Sequence, residues 1–477
     1  MNTKFFTLIL CTLMVSAASV AKAESPDSTL RQDLDEINKR IIQNKIIWTG
    51  DYTGFLDSFN DKNRVTGTKT FTRARLRHRA RFGLRATPNE YFRFTGRLAA
   101  YKNFGALDEG DPSTYPDRIY YSLRPSSDSL LRIDRMYVDI FPAWKWISGS
   151  VGLFPATEGL PSDLIRLQSR KSTYANLAFN APFAGIVTAL HPHEVFSFMP
   201  ESHFWFIYSN AYDPTKQNSL GYSVEDATRF AVKDAINLFV FSYEIDPKVS
   251  FAEKFLTSFT YTLLNDFKVS EDTATVAVLR AYTGLEVTPG TNLGNSDKII
   301  VHTQVEHIAN TGLNAFLAVA MTPLANSNPA ELSVIGAAAS KGKLGMQGTV
   351  FKENRWGKAL YLGGSYDFKN KISKYVGAPT VGAEYYLTQK NFYGIYTNGD
   401  DITNRFQNPG VSYKFFYTQP FTDALKMHLS YINTIHRYTS STYEFTVPTG
   451  TSERRTDSIS RTGRVLHTVQ LSWMMTF

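Results

Sequence analysis

The sequence predicts an all-β fold: a transmembrane antiparallel β-barrel of about sixteen to twenty strands, an even number, preceded by one short amphipathic helix. Three observations predict it. The first is a stretch that carries arginines at every second position. The second is a secretory leader with no apolar helix after it. The third is an alternating last segment that ends on Phe477.

Between Thr70 and Ala86, Arg73, Arg75, Arg77, Arg79, Arg81 and Arg85 fall on one parity. Ala74, Leu76, His78, Ala80, Phe82, Leu84 and Ala86 fall on the other. A strand points successive side chains to opposite faces, so this is a strand with a guanidinium ladder on one side and a mostly apolar other side. Such a ladder cannot be buried without partners. A barrel wall, with lipid outside and water inside, suits both faces. An edge strand of a soluble sandwich suits them too, and the rest of the chain decides.

The chain has 477 residues, a formal charge of +8 and 14% aromatic residues. Residues 1–23 read as a signal peptide: Lys4 in the n-region, an apolar core from Phe5 to Val15, and Ala21-Lys22-Ala23 before the cut. Cleavage removes Lys4 and Lys22 and no acid, leaving +6 of the +8. The single cysteine, Cys11, lies in this leader, so the mature chain has no thiol for a disulfide or a cysteine metal site. No later stretch reaches the roughly eighteen apolar residues of a membrane helix. At the other end Val465, His467, Val469, Leu471, Trp473, Met475 and Phe477 alternate with Arg464, Thr468, Gln470, Ser472 and Thr476. Trp473 and Phe477 then form an assembly signal of the kind that outer-membrane barrels carry.

The elements follow in order. Residues 24–45 form a helix or coiled-coil stub, with Leu30, Leu34, Ile37 and Ile41 along one seam. The seam is too short to hold an isolated coiled coil together. Packing on its own barrel and a short trimeric stub are both open. The barrel then occupies residues 46–477. Ile46, Trp48, Tyr52 and Leu56 oppose Thr49, Asp51 and Thr53; the arginine strand follows; and Phe92 to Ala100 alternates with Arg93, Thr95 and Arg97. A three-residue turn at Pro88-Asn89-Glu90 sets Arg85 opposite Arg93 and Arg81 opposite Arg97. Short turns are expected at Pro142 to Lys145, Asp246 to Lys248, Thr288 to Gly290, Thr322 to Glu331, Leu387 to Asn391 and Gln419 to Asp423. Longer loops are expected at Lys102 to Ser129, Phe154 to Pro182, Tyr212 to Asp234, Thr397 to Pro409 and Thr439 to Thr462. A further strand is expected at Ala277 to Val287. Short turns at one end and long loops at the other are an outer-membrane asymmetry, with both termini in the periplasm.

Catalytic constellations are missing. Ser148-Gly149-Ser150-Val151-Gly152 runs along a strand and not through a strand-to-helix elbow. Gly336 to Lys343 has the wrong glycine spacing for a phosphate loop, and Leu344 stands where Ser or Thr should. His191-Pro192-His193 reads as a solvated turn, with a metal pair as the alternative. Asp108-Glu109-Gly110-Asp111 lacks the ligand spacing of a calcium loop. No enzyme activity, catalytic residue, metal or cofactor is expected, and no nucleic acid partner.

Five segments carry a resemblance: Trp48 to Tyr52, Phe94 to Lys102, Arg132 to Asp139, Pro155 to Asp163 and Arg170 to Tyr174. With the helical stub they resemble a family of proteobacterial outer-membrane proteins catalogued as a domain of unknown function. The resemblance implies a porin-like barrel in the bacterial outer membrane and supplies no catalytic residue. The expected function is passive diffusion of small hydrophilic solutes, with a moderate anion preference set by pore-lining Arg73, Arg75, Arg77, Arg79, Arg81, Arg85, Arg93 and Arg97. The third outward loop holds Glu158, Asp163, Arg166, Arg170 and Lys171 as constriction candidates. By analogy with general porins it folds inward; an ordinary exterior loop is equally open. Expected partners are outer-membrane lipid, the solutes, the barrel-assembly machinery and two further copies in a homotrimer. A scaffold or sheath around a partner protein is the second reading, and a barrel lipase or protease the third.

Overall fold

A computed structural model describes residues 46–63, 69–103, 131–154, 177, 183–212, 236–268, 292–322, 357–368, 376–389, 392, 410–436 and 464–477. The predicted signal peptide and helical stub lie outside the described residues, as do the strand expected at Ala277 to Val287 and the turn at Thr288 to Gly290. No described helix is long and apolar enough to cross a membrane.

Sixteen strands run in chain order. They are β1 (Ile46–Asn63), β2 (Lys69–Asn89), β3 (Phe92–Asn103), β4 (Arg132–Ile140), β5 (Ile147–Phe154), β6 (Phe183–Leu190), β7 (Glu201–Tyr212) and β8 (Ile236–Asp246). The second half holds β9 (Lys254–Lys268), β10 (Asn292–Glu306), β11 (Leu313–Thr322), β12 (Gly357–Asp367), β13 (Thr380–Thr388), β14 (Gly410–Pro420), β15 (Leu425–His436) and β16 (Arg464–Thr476). Each strand pairs antiparallel with its neighbours in sequence, and β1 pairs with β16, so the sheet closes on itself. Closure removes every unpaired sheet edge, which a span through hydrocarbon requires.

Alternation decides which side chains go where. One parity presents Phe206, Phe241, Phe259, Val301, Leu317, Phe415 and Val469 as exposed apolar side chains. The other buries Thr53, Asp57, Arg79, Ser242, Glu244, Thr260, His302, Gln304, Glu384, Lys414, Thr434 and Gln470. A soluble sandwich would bury the first set, so the apolar faces point outward and the polar faces line the inside. β16 follows the predicted pattern, with Val469 and Met475 exposed and Thr468, Gln470 and Ser472 buried.

The register between β2 and β3 departs from expectation. Arg85 pairs with Thr95, Gly83 with Arg97 and Arg81 with Ala99. The ladder is irregular between Ala86 and Asn89. Pro88 has no N–H to give a ladder, and the Asn89 carboxamide accepts from the amides of Tyr91 and Phe92 at 2.9 and 3.0 Å. The pairing therefore slides by two residues while the inward parity is kept.

Two turn assignments also change. Residues 323–356 join β11 to β12 and residues 389–409 join β13 to β14, at the end that holds the long connections. The short turns next to them are instead residues 307–312 and 368–379. The first bends through His307, Ala309 and Asn310, at φ 54°, 52° and 56°, a left-handed backbone that His and Asn adopt more readily than Ala does.

Candidate functional site: the arginine wall and the short-turn mouth

The inner faces of β1 to β4 form one continuous polar wall. Asp51 on β1 lies opposite Arg81 on β2, and its two carboxylate oxygens accept from the Arg81 Nε at 2.8 and 2.7 Å. Arg79 donates to Thr53 Oγ1 at 3.1 Å and stands 3.6 Å from Asp51 Oδ1. Arg77 donates to Asp57, which also accepts from Gln470 on β16 at 2.8 Å. The ring of Phe55 lies under Arg77 and Arg79, at 4.6 and 5.9 Å from the two guanidinium carbons. Arg93 donates to Asp139 at 2.8 Å, and Ser150 donates to the other oxygen of Asp139 at 2.7 Å.

The sequence pattern thus placed the arginines on one face, and the strand order supplied their acids. Arg79 and Arg81 are buried, Arg77, Arg93 and Arg97 intermediate and Arg85 exposed. Arg73 and Arg75 lie on β2, but their side chains are outside the described residues. So are the constriction candidates Glu158, Asp163, Arg166, Arg170 and Lys171. Sequence reasoning missed Arg135: the regular β3–β4 register that sets Arg93 opposite Asp139 also sets Arg97 directly opposite Arg135. Among described side chains on the inner faces of these strands, Arg77, Arg79, Arg81, Arg85, Arg93, Arg97 and Arg135 face Asp51, Asp57 and Asp139. The wall therefore keeps a net positive charge.

Two residues from the long-connection end are buried. Leu177, within the third outward loop, is fully buried. Phe392, just past β13, is also buried and lies 5.8 Å from the Lys298 ammonium on the inner face of β10. Lys298 belongs to a strand three places away in the barrel order, so the Phe392 ring lies over the interior beside this lysine.

At the short-turn end, the turn after β6 brings three histidines together. His191 Nδ1 lies 2.7 Å from His203 Nδ1, and His191 Nε2 lies 2.9 Å from Ser148 Oγ on β5. The His193 ring is 5.2 Å from that of His203 and 6.2 Å from that of His191. The Ser202 amide donates to His193 Nδ1 at 3.2 Å. His191-Pro192-His193 is therefore a half-buried, bonded turn and not a solvated one; His203, distant in sequence, is the partner that local reading could not supply. Burial chiefly, and the neighbouring His193 next, hold the His191 imidazole below its usual range against an opposing pull from Glu194. Among the described residues no group of three or more His, Cys, Asp or Glu is arranged to hold a metal ion.

At the seam, Phe477 exchanges backbone hydrogen bonds with Gly50, at 3.0 and 2.8 Å. The Trp473 ring lies across Gly54, where an added Cβ would sit 2.1 Å from Cζ2.

Solved barrels resemble this one. OprB of Pseudomonas putida, in a structure described as its high pH form, matches with a TM-score of 0.53 at 12% identity, over 96% of this chain and 100% of that one. The outer membrane channel DcaP of Acinetobacter baumannii matches at 0.45 and 11%, over 91% of this chain and 98% of that one. OmpF of Salmonella typhi, in complex with daunomycin, matches at 0.43 and 10%, over 91% and 98%. At such identities the likeness is one of fold. No curated protein matches the sequence. A family described as "Protein of unknown function (DUF3373)" matches residues 71–476, most of the chain, and the protein belongs to that family.

Proposed function

We propose that the protein is an outer-membrane channel through which small hydrophilic solutes diffuse passively, with a moderate preference for anions. The observation that carries the reading is the net positive inner wall of β2 to β4 inside a barrel whose outer face is apolar. From Arg77 to Arg85 the ladder spans eight residue steps, roughly 27 Å of strand at about 3.4 Å per residue. With a strand tilt of about 35–45° it covers on the order of 20 Å of an apolar band about 25 Å tall. A passing anion then leaves bulk water against a lower electrostatic cost than a cation does. The preference is moderate because Asp51, Asp57 and Asp139 already hold Arg77, Arg79, Arg81 and Arg93.

The same reading makes residues 1–23 a cleaved signal and residues 24–45 a periplasmic stub. It makes the β16 terminus with Trp473 and Phe477 the signal for the assembly machinery, and lipid the solvent of the outer face.

The test is a reversal potential across a salt gradient with the purified barrel in planar bilayers. Arg85 and Arg97 share the inward parity of β2 and β3 with the rest of the wall. In Arg85→Glu/Arg97→Glu the anion preference should weaken or invert, and in both proteins it should shrink as salt rises and the Debye length falls below about 8 Å. A wild type that prefers cations, or that ignores the substitutions, would place these arginines away from the conduction path.

A further inference from the structure

We infer that His191, His193 and His203 form a proton-operated charge switch at the short-turn mouth of the barrel, one that raises the preference for anions as that side is acidified. The inference rests on the channel reading above and adds its regulation.

The cluster faces the path. Ser148 pairs with Ala189, and Ala189 with Trp205, so these three positions share one face of the sheet. That face also carries the buried Val187 and Ile207, while Ile186, Phe204 and Phe206 are exposed on the other. His203 precedes Trp205 by two residues and His191 follows Ala189 by two, so both keep the inward parity. His203 and Trp205 lie against each other at 5.9 Å, and Trp205 Nε1 donates to Glu244 at 2.8 Å.

The geometry permits only certain proton counts. Two Nδ1 atoms 2.7 Å apart bond when one carries a proton and the other a lone pair. If both imidazoles become fully protonated, two N–H groups meet head on and the bond is lost. His193 has a similar choice within one residue. Its Nδ1 accepts from the Ser202 amide at 3.2 Å when bare, and faces the Ser202 carbonyl at 2.9 Å when protonated. No other side chain changes charge near neutral pH from an ordinary starting value.

Three carboxylates lie close to the cluster, and Lys145 stands on the adjoining turn beside Trp146, whose carbonyl accepts from the His191 amide. Glu194 lies 3.6 Å from His193, and Glu201 lies 3.5 Å from His203. Glu244 stands opposite His203 across the β7–β8 ladder. Burial first, and the neighbouring His193 next, hold the His191 imidazole below its usual range. Acidification thus adds positive charge to a mouth whose neighbouring strands, β4 onward to β2, already carry the arginine wall. It also breaks the His191–His203 bond that ties the turn to β7.

The experiment uses the whole barrel, reconstituted in bilayers, with reversal potentials at pH 7.5 and 5.0. Tryptophan emission is followed over the same range and compared with a Trp205→Phe protein to isolate the Trp205 signal, which a neighbouring imidazolium quenches. The anion-to-cation permeability ratio should rise about two- to threefold on acidification, since the new charges lie within about a Debye length of the path. Trp205 emission should fall with the same midpoint. His191→Gln/His193→Gln/His203→Gln should abolish both responses. A ratio independent of pH, or a response retained in the triple variant, overturns the switch. So does a response that needs added zinc and not protons. If no current flows at either pH, the channel reading falls and the selectivity role falls with it, whereas current without pH dependence removes only the switch.

Discussion

Arg79 and Arg81 lean on one carboxylate. Arg79 has no exposed side-chain surface, Arg81 has 4% and Asp51 has 13%. A buried ion pair adds little net stability, but removing one partner strands the other in a poor solvent. Asp51→Asn keeps the shape and removes the charge, so it should cost on the order of 3 kcal/mol, the lower end for breaking a buried pair. Asp139→Asn is the comparison. Its partner Arg93 is 39% exposed, so water compensates and the loss should stay within about 1 kcal/mol. Urea unfolding in lipid vesicles measures both, and equal losses would mean that water reaches both pairs alike. The arginines of this network were legible in the sequence because a period of two is a local signal. Their aspartates were not, although the alternation set Asp51 on the polar face of its strand. Which acid meets which arginine depends on register, and Asp57 meets Gln470 only because the last strand closes on the first.

The β1–β16 seam holds the barrel shut, and two glycines shape it. Gly50 and Gly54 lie on the outer face of β1, under Phe477 and Trp473. A strand glycine leaves backbone uncovered, and an aromatic ring from the neighbouring strand covers it again. A Cβ at residue 54 would sit 2.1 Å from the Trp473 ring and turn it off the seam. Gly54→Val should therefore destabilise the folded barrel by about 1 kcal/mol, the scale of one cross-strand pair. In a Trp473→Ala background the same substitution should cost much less, because the ring it displaces is gone. The readout is the temperature at which the band loses its heat-modifiable mobility in gels. Additive costs would show that the ring and the glycine act independently. The alternation of β16 was readable in advance, and so was the aromatic terminus. The slide between β2 and β3 was not, because the irregularity at Thr87-Pro88 changes the ladder without changing the hydrophobic pattern.

Among the described residues, the sixteen strands and their closure run from residue 46 onward. β1 begins at Ile46, its pairing with β2 starts at that residue, and its pairing with β16 starts at Asp51. Sequence reading found this rhythm but misjudged two gaps. Pro323, Asn326, Asn328 and Pro329 look like turn residues, yet they belong to a connection that runs to residue 356. The tight turn nearby offers a single Asn, Asn310, among His307 and Ala309 with positive φ, and carries no proline. The apolar seam of Leu30, Leu34, Ile37 and Ile41 is a separate matter. Four such side chains yield about 1.5–3 kcal/mol each when fully buried. Ordering the backbone of the segment costs roughly 1–2 kcal/mol per residue. One free helix therefore does not hold itself together and requires a partner, either its own barrel or two more copies of the stub. Deleting residues 24–45 while keeping the signal should leave the strand signal in circular dichroism and the heat-modifiable mobility intact. On the trimer reading, the mass in detergent measured by light scattering should then fall from three chains to one. If the mass is unchanged and the melting temperature drops instead, the helix packs on its own barrel and the oligomer, if formed, is held by the barrel wall.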